Sequence, residues 1–268
     1  ICSILIMMKL RFLGTGTSNG VPVLGCNCAV CQSNDSKDKR YRTSALIETD
    51  NTRIMLDCGP DARMQLLQVP FRPINAVLIS HIHYDHVAGI DDLRPFCQFG
   101  DIDVYANSST AKALKQTMPY CFTDELYPGV PRLNLHTIES GKAFKVNEVE
   151  ILPIIVYHGK LPILAYRFGG VAYITDMKTI DDAEKELLKG VKVLVVNGLR
   201  WEKEHHSHQL INEAIAFSKS ILPERDEPIS VSPFSKISRV FMFTLYSLTP
   251  IRTKLPCGLM YLIKSFIA

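Results

Sequence analysis

Residues 81–86 read His-Ile-His-Tyr-Asp-His and place four metal-binding side chains within six residues. The apolar residues 76–79 before them predict a buried strand, so the cluster stands where a strand ends. Imidazole and carboxylate ligands suit zinc, and also manganese or iron. The alternative is a surface turn that is rich in histidine by chance, although this one turn holds three of the eight histidines of the chain. The sequence therefore predicts a metal site built on His81, His83, Asp85 and His86.

A group of three cysteines, Cys26, Cys28 and Cys31, is spaced too tightly for disulfide bonds within the group. Three thiolates at this spacing can chelate one zinc ion in a closed structural site, and a fourth ligand would come from a distant part of the chain. The alternative is three reduced thiols in a loop. The other five cysteines lie in apolar stretches of the sequence, which is typical of reduced thiols in a protein core. Reduced thiols predict that the protein is located in a reducing cytoplasm.

The composition is that of a globular protein without a strong bias in charge. The 268 residues are 47% hydrophobic and carry a formal net charge of +3, too small to indicate a nucleic acid as partner. Arg40 and Arg42 belong to a charged stretch that either forms a solvated face or faces an anionic substrate. No stretch reaches the roughly 18 apolar residues of a membrane-spanning helix, so no membrane partner is expected. We interpret residues 1–7 as a non-native extension, because Met8 can serve as the start.

Further candidate residues stand at the ends of predicted elements. His158 follows the strand predicted for residues 149–156, a position at which a lone histidine is more often structural. His206 and His208 precede a helix predicted for residues 209–221 and could act as general acids or bases, since imidazole titrates near neutrality. The alternative for both is a solvated, histidine-rich start of a helix.

The pattern His-x-His-x-Asp-His after an apolar strand resembles the signature of the metallo-β-lactamase superfamily. Three more segments narrow the resemblance to the branch of the PhnP-type phosphodiesterases that accompany carbon–phosphorus lyase. These segments are the cysteine group, residues 91–96 (Asp-Asp-Leu-Arg-Pro-Phe), and Ser207-His208 before a helix. The resemblance extends from Lys9 to about Pro223. It implies an α/β fold, the αββα sandwich, in a single hydrolase domain that we expect over residues 8–227.

The resemblance also implies how two zinc or manganese ions would be held. The ligands would be His81, His83 and His158 for the first ion, and Asp85, His86 and a bridging Asp176 for the second. Asp85 would also orient the attacking hydroxide, and His208 would protonate the leaving group. The cysteine group would bind a structural zinc with a distant histidine. Asp57 would support the metal-bearing loop or, equally well on the sequence alone, cap the helix predicted for residues 62–67.

The C-terminal residues depart from the branch. Its members continue with a Thr-His-x-x-His turn that completes the second metal site and the cysteine site, whereas this chain has no histidine after His208. We interpret residues 228–268 as a divergent tail produced by a frameshift. A genuine tail that binds a membrane or a partner is the alternative.

Three functions follow as hypotheses. The first is a two-metal phosphodiesterase for small or cyclic phosphodiesters, cytoplasmic and homodimeric as branch members commonly are, with no nucleic acid and no membrane as partner. The second is a hydrolase of another ester, thioester or lactam, since this fold hosts all of them. The third is a defective product that binds metal without turnover. Related branches serve pyrroloquinoline quinone synthesis and tRNA 3′ processing, and the chain shows no long flexible-arm insertion for tRNA.

Overall fold

The computed structural model describes residues 7–123 and 125–222, and the backbone of residues 241–245. Most of the predicted N-terminal extension and of the predicted tail, residues 228–268, therefore lies outside the described residues. Among the described residues, no helix combines the length and the apolar character that crossing a bilayer requires.

Two six-stranded sheets form the centre of the fold. The first sheet has the spatial order β1 (Lys9–Gly14), β2 (Ser44–Glu48), β3 (Arg53–Leu56), β4 (Ala76–Leu78), β5 (Ile102–Ala106) and β6 (Leu133–Thr137). The second sheet contains β7 (Phe144–Val146), β8 (Val149–His158), β9 (Leu161–Phe168), β10 (Val171–Tyr173), β11 (Val193–Gly198) and β12 (Phe241–Leu245), which neighbour one another in this order. The α-helices are α1 (Ala62–Leu66), α2 (Tyr84–Val87), α3 (Ser108–Thr117), α4 (Asp182–Glu186) and α5 (Ile211–Ile221).

Alternate residues of the strands enter different apolar layers, because successive side chains of a strand point to opposite faces. Ile47 of β2 and Phe168 of β9 belong to a buried cluster between the two sheets. Leu46 joins a second cluster with residues of α1 and α3 on the outer face of the first sheet. Ile154 of β8 joins a third cluster with Ile211 of α5 on the outer face of the second sheet. These three layers of core confirm the predicted αββα sandwich.

The structure differs from the sequence patterns at two places. Residues 87–90 predict the start of a helix, but the helix there, α2, begins at Tyr84 and so includes two candidate ligands, and a 3-10 helix over Ile90–Phe99 follows it. Pro95 inside that segment has no amide hydrogen to donate to a regular α-helix. The strand β7 was missed, because three residues are too few for an alternating pattern to be recognised.

The fold brings the candidate ligands to one edge of the sandwich. Residues 79–86 follow β4 of the first sheet, whereas His158 ends β8 and Asp176 follows β10 of the second sheet. Two hydrogen bonds join the sheets at this edge: the amide of Leu164 donates to the carbonyl oxygen of Ser80 (2.9 Å), and the Tyr166 hydroxyl donates to that of Ile79 (2.7 Å). The start of the metal-binding segment is therefore fixed to the second sheet.

Glycine is required where the turn after β3 meets α2. A Cβ atom on Gly59 would lie 2.0 Å from the carbonyl oxygen of Asp85, and one on Gly89 would lie 2.0 Å from that of Gly59. Only residues without a side chain allow the two backbones to approach so closely. This contact places the Asp57 turn directly under the segment that carries Asp85 and His86.

Candidate metal centre

The structure brings together the three histidines predicted to hold the first ion. His81 Nε2 lies 2.9 Å from His83 Nδ1, and the ring centroids of His83 and His158 are 5.2 Å apart. One nitrogen of each of the three rings lies within 4.8 Å of the others. His81 is buried, whereas the other two rings are partly open to the cavity described below.

The residues predicted for the second ion lie next to this group. His86 Nε2 is 3.2 Å from Asp85 Oδ2 and 3.1 Å from Asp176 Oδ2. Asp176 Oδ2 is also 3.8 Å from His81 Nε2, so this carboxylate stands between the two sets of ligands. The position suits a bridging ligand.

The donor atoms fit divalent ions at both positions. Tetrahedral ligands bonded to one zinc ion at about 2.0–2.2 Å lie about 3.3–3.6 Å from each other. The distances of 2.9 Å between His81 and His83, and of 3.1 and 3.2 Å from His86 to Asp176 and Asp85, are slightly shorter, so the side chains need to move apart by only a few tenths of an ångström to hold an ion. The donors are imidazole and carboxylate groups, which zinc and manganese accept. The assignment of each residue as a ligand remains a prediction.

His208 lies beside the same carboxylate. Its Nδ1 atom is 4.0 Å from Asp176 Oδ1, and its ring centroid is 4.5 Å from that of His158. Burial lowers the pKa of His208 to about 4, an effect that Asp176 opposes and His158 enhances. His136, in contrast, lies on β6, where its Nε2 is 2.9 Å from Asp103 Oδ1. It joins none of the ligand groups among the described residues.

Asp57 anchors the segment of residues 80–86 through hydrogen bonds. Its carboxylate accepts hydrogen bonds from the Ser80 amide (2.7 Å), the Ser80 hydroxyl (2.9 Å) and His86 Nδ1 (2.7 Å). Its φ of 55° lies in the left-handed region, which aspartate tolerates better than most residues. The helix α1 has Asp61 at its N-cap, so the role of Asp57 as a helix cap is wrong.

These hydrogen bonds orient the ligand nitrogens. The Ser80 hydroxyl donates its hydrogen to Asp57, so it accepts a hydrogen bond from His81 Nδ1 (2.9 Å). The proton of the neutral His81 ring therefore lies on Nδ1, and Nε2 carries none. His158 Nδ1 donates to the carbonyl oxygen of Ser207 at 2.8 Å, which leaves its Nε2 atom as a ligand. Sequence reasoning missed the role of Ser80, although this residue directly precedes the histidine motif, and it noted Ser207 without its contact to His158.

Burial and charge set the protonation of the centre. Burial and the neighbouring imidazoles hold the pKa of His81 well below its usual value, so it is neutral at pH 7. Burial also lowers the pKa of His86, but the charges of Asp57 and Asp176 outweigh it and hold the pKa well above its usual value. Burial raises the pKa of Asp176, but His86 outweighs it and holds the pKa well below the usual range. The site thus attracts a positive charge between His86 and Asp176.

The centre opens into a cavity of about 320 Å³. Residues 15–18, Thr43 and residues 205–208 are among the residues that line it. Asp85, His158 and Asp176 lie among its lining residues. A cavity of this size accepts a small molecule.

The cysteine group is also brought together. The sulfur atoms of Cys26, Cys28 and Cys31 all lie within 4.8 Å of one another. Among the described residues, the group has these three members. Hydrogen bonds from the Cys31 backbone and from Cys26 lower the pKa of Cys28 to about 7. A thiolate at this position suits a soft metal ion, and the predicted zinc site would need a fourth ligand in addition.

A family model described as "Beta-lactamase superfamily domain" matches residues 52–229. A solved structure of a new diphosphatase from the PhnP family is similar to this chain with a TM-score of 0.73 and 33% sequence identity. The similarity covers 80% of this chain and 83% of that one.

Two curated proteins extend the comparison. An octanoyltransferase of Porphyromonas gingivalis is 46% identical over 209 residues, which are 78% of this chain and 42% of that protein. A ribonuclease Z of Methanococcus maripaludis is 26% identical over 229 residues, which cover 81% of this chain and 65% of that protein. The chain thus spans less than two thirds of the length of these curated relatives.

Proposed function

Because this chain belongs to the metallo-β-lactamase superfamily as a PhnP-like member, we propose that it is a metal-dependent hydrolase that cleaves small or cyclic phosphodiesters with two divalent ions. The observation that carries the proposal is the position of Asp176 between two sets of ligands in one cavity. The similarity to a diphosphatase of the PhnP family supports a substrate that contains a phosphoryl group.

In this proposal His81, His83 and His158 hold the first ion, and Asp85, His86 and Asp176 hold the second. When bound, the two ions, zinc or manganese, would lower the pKa of water to near neutrality and supply positive charge to the phosphoryl oxygens. Asp57 keeps the proton of His86 on Nδ1 and Ser80 keeps that of His81 on Nδ1, which leaves each Nε2 atom to bind an ion. A structural zinc at the cysteine group is a further part of the proposal.

Two residues act on the substrate itself. Asp85 accepts a hydrogen bond from the nucleophilic water and directs it at phosphorus. His208, which lines the same cavity beside Asp176, donates a proton to the departing alkoxide. The negative charge of a bound phosphodiester would raise the lowered pKa of His208 and so help it to carry that proton.

The test combines the metal content per chain with turnover of bis-p-nitrophenyl phosphate. We expect at least two ions per chain and turnover in the wild type. His81→Ala should lose metal and most of the turnover. His136→Ala, which removes an exposed histidine of β6, serves as the matched control and should change neither.

Each other outcome has a definite meaning. Metal without turnover of this or any other phosphodiester would favour the defective product, for which the lack of a histidine after His208 is the supporting observation. Turnover of a thioester or lactam probe in place of the phosphodiester would favour the second hypothesis. The octanoyltransferase activity is not part of the proposal, because the matched residues make up 42% of that protein.

A further inference from the structure

The backbone of Met177, the residue after Asp176, is held by a side chain of β11. The Met177 amide donates to Asn197 Oδ1 (2.8 Å), and Asn197 Nδ2 donates to the Met177 carbonyl oxygen (2.9 Å). Asn197 is 8% exposed and lines the cavity of the metal centre, whereas Met177 is fully buried in the core on the outer face of the second sheet. One side-chain amide therefore pairs with both polar groups of a buried backbone unit.

Asn197 acts where the backbone pairing between β10 and β11 ends. The last paired residues are Tyr173 and Val195, and the Ile174 amide still donates to the Val195 carbonyl oxygen (2.8 Å). The chain then turns through Asp176, whose φ of 53° lies in the left-handed region. This conformation costs free energy for a residue with a Cβ atom, so the surrounding contacts have to maintain it. The hydrogen bonds of Asn197 lie directly after this turn and supply such contacts.

The Met177 carbonyl oxygen also holds the segment that carries His208. It accepts a second hydrogen bond from the Gln209 amide (3.1 Å), while the Gln209 carbonyl oxygen accepts one from the Leu199 amide (2.8 Å). Asp176 directly precedes Met177, and His208 directly precedes Gln209. One hydrogen bond therefore joins the backbones beside the two residues, whose Oδ1 and Nδ1 atoms are 4.0 Å apart.

We propose that Asn197 is a positioning residue that fixes the carboxylate of Asp176 relative to the proton donor His208 through the backbone of Met177. The inference rests on the proposed phosphodiesterase function. In the hydrolysis, the water oxygen bonds to phosphorus, the bond from phosphorus to the ester oxygen breaks, and that oxygen takes a proton from His208. A proton donor acts only within hydrogen-bonding reach of its target. The separation of Asp176 and His208 is therefore part of the active geometry.

Asparagine suits this role because its amide group carries a donor and an acceptor side by side. Leucine has a similar branched shape but can bind neither polar group of Met177. Aspartate can still accept from the Met177 amide, but its second oxygen would face the Met177 carbonyl oxygen and repel it. Either replacement of Asn197 should shift Met177, and with it Asp176 and the segment of Gln209.

The first readout compares two esters that differ in their need for a proton. p-Nitrophenolate is a weak base and leaves bis-p-nitrophenyl phosphate readily, whereas phenolate is a stronger base and leaves diphenyl phosphate with the help of a proton donor. The ratio of kcat/KM for diphenyl phosphate to that for bis-p-nitrophenyl phosphate therefore reports on the placement of His208. Because a general acid contributes about 100- to 10,000-fold, Asn197→Leu should lower this ratio by at least about 5-fold.

The second readout is zinc affinity, which needs no turnover and is measured by competition with a chelator. Loss of a group that supports a metal ligand lowers metal affinity by roughly 10- to 100-fold, and we expect a loss of about 10-fold for Asn197→Leu. Asn134→Leu is the matched control, because it makes the same replacement on the exposed face of β6 and should change neither readout. Should circular dichroism show that Asn197→Leu is unfolded, Asn197→Asp replaces it for the ratio, with Asn107→Asp at the start of α3 as its control.

Combination with His208→Gln separates positioning from a general structural effect. If Asn197 acts through His208, Asn197→Leu should lower the ratio in the wild type and leave it unchanged in the His208→Gln background. A merely structural effect would reduce the hydrolysis of both esters in parallel and would not change the ratio.

Two results would overturn the inference: a ratio that falls by less than about 5-fold in Asn197→Leu, or an equal fall in the His208→Gln background. If the wild type hydrolyses neither ester, the proposed function fails instead, and zinc affinity decides the inference. A loss of at least about 5-fold in Asn197→Leu would then retain it. A smaller loss, or a wild type that binds no zinc, would refute it.

Discussion

Replacing Asp57 with asparagine tests whether this carboxylate controls the metal-binding nitrogen of His86. Asp57 is 1% exposed and accepts three hydrogen bonds, one at Oδ1 and two at Oδ2. Asparagine tolerates the same left-handed backbone and can still accept from the Ser80 amide. Its NH₂ group would replace Oδ2 and face two groups that now donate to it, the Ser80 hydroxyl and His86 Nδ1.

The replacement should act through the tautomer of His86. With an NH₂ group beside it, Nδ1 becomes an acceptor and the proton moves to Nε2, the atom that faces Asp85 and Asp176. Loss of such a supporting hydrogen bond lowers metal affinity by roughly 10- to 100-fold, which corresponds to about 1.4 to 2.8 kcal/mol. The free energy of unfolding should fall as well, since each hydrogen bond to the ionised oxygen is worth about 1.5–3 kcal/mol.

Zinc affinity is measured by competition with a chelator, on protein whose folded state is checked by circular dichroism. Asp61→Asn is the matched control, because Asp61 pairs with Arg42 and contacts none of the candidate ligands. Zinc binding by Asp57→Asn within about twofold of the wild type would refute the argument. That result would mean that the geometry of the segment is set by the backbone contacts of the Asp57 turn alone.

Three more predictions concern separate parts of the molecule. Because the pKa of His208 is lowered to about 4, this imidazole is protonated at a lower pH in the folded metal-free protein than in the unfolded chain. The free energy of unfolding should therefore fall as the pH drops from about 6.5 towards 4. His208→Gln should therefore show a smaller loss in urea unfolding between pH 7 and pH 5. Iodoacetamide at pH 7.4 should modify Cys28, whose pKa is lowered to about 7, ahead of the buried cysteines, and zinc should slow this reaction in mass spectra. Gly89→Ala should lower the free energy of unfolding by about 1–3 kcal/mol because its Cβ atom would lie 2.0 Å from the Gly59 carbonyl oxygen, whereas Gly170→Ala, with contacts of 3.7 Å or more, should show little change.

The sandwich could be predicted because its strands carry strong local patterns. Residues 44–48 and 191–197 are apolar runs bounded by turn residues, and the structure forms β2 over the first run and β11, which begins at Val193, over most of the second. The histidine motif could be recognised because its ligands are close in sequence. Elements whose limits depend on contacts, such as the start of α2 or the three-residue β7, carry no comparable local pattern and were misplaced or missed.

The partners of the site were harder to predict. The sequence left Asp57 with two equally good roles, because a carboxylate before a helix and one beneath a metal-binding loop look alike until the loop is folded over it. Nothing in the sequence of residues 15–18 shows that their carbonyl oxygens accept hydrogen bonds from Arg40, Thr43 and Arg42. Such contacts join residues about 25 positions apart. The predictions for the tail lie outside the described residues.

The two sheets supply different ligands, and this has a consequence for the folding of the chain. His86 and Asp176 are 90 residues apart in sequence and 3.1 Å apart in space. An ion bound to both would join the two halves of the chain in the folded state alone, so its binding free energy would add to the free energy of unfolding. Amide hydrogen exchange should then slow in β4 and in β10 together when zinc is added, so that two halves with separate opening reactions exchange as one cooperative unit.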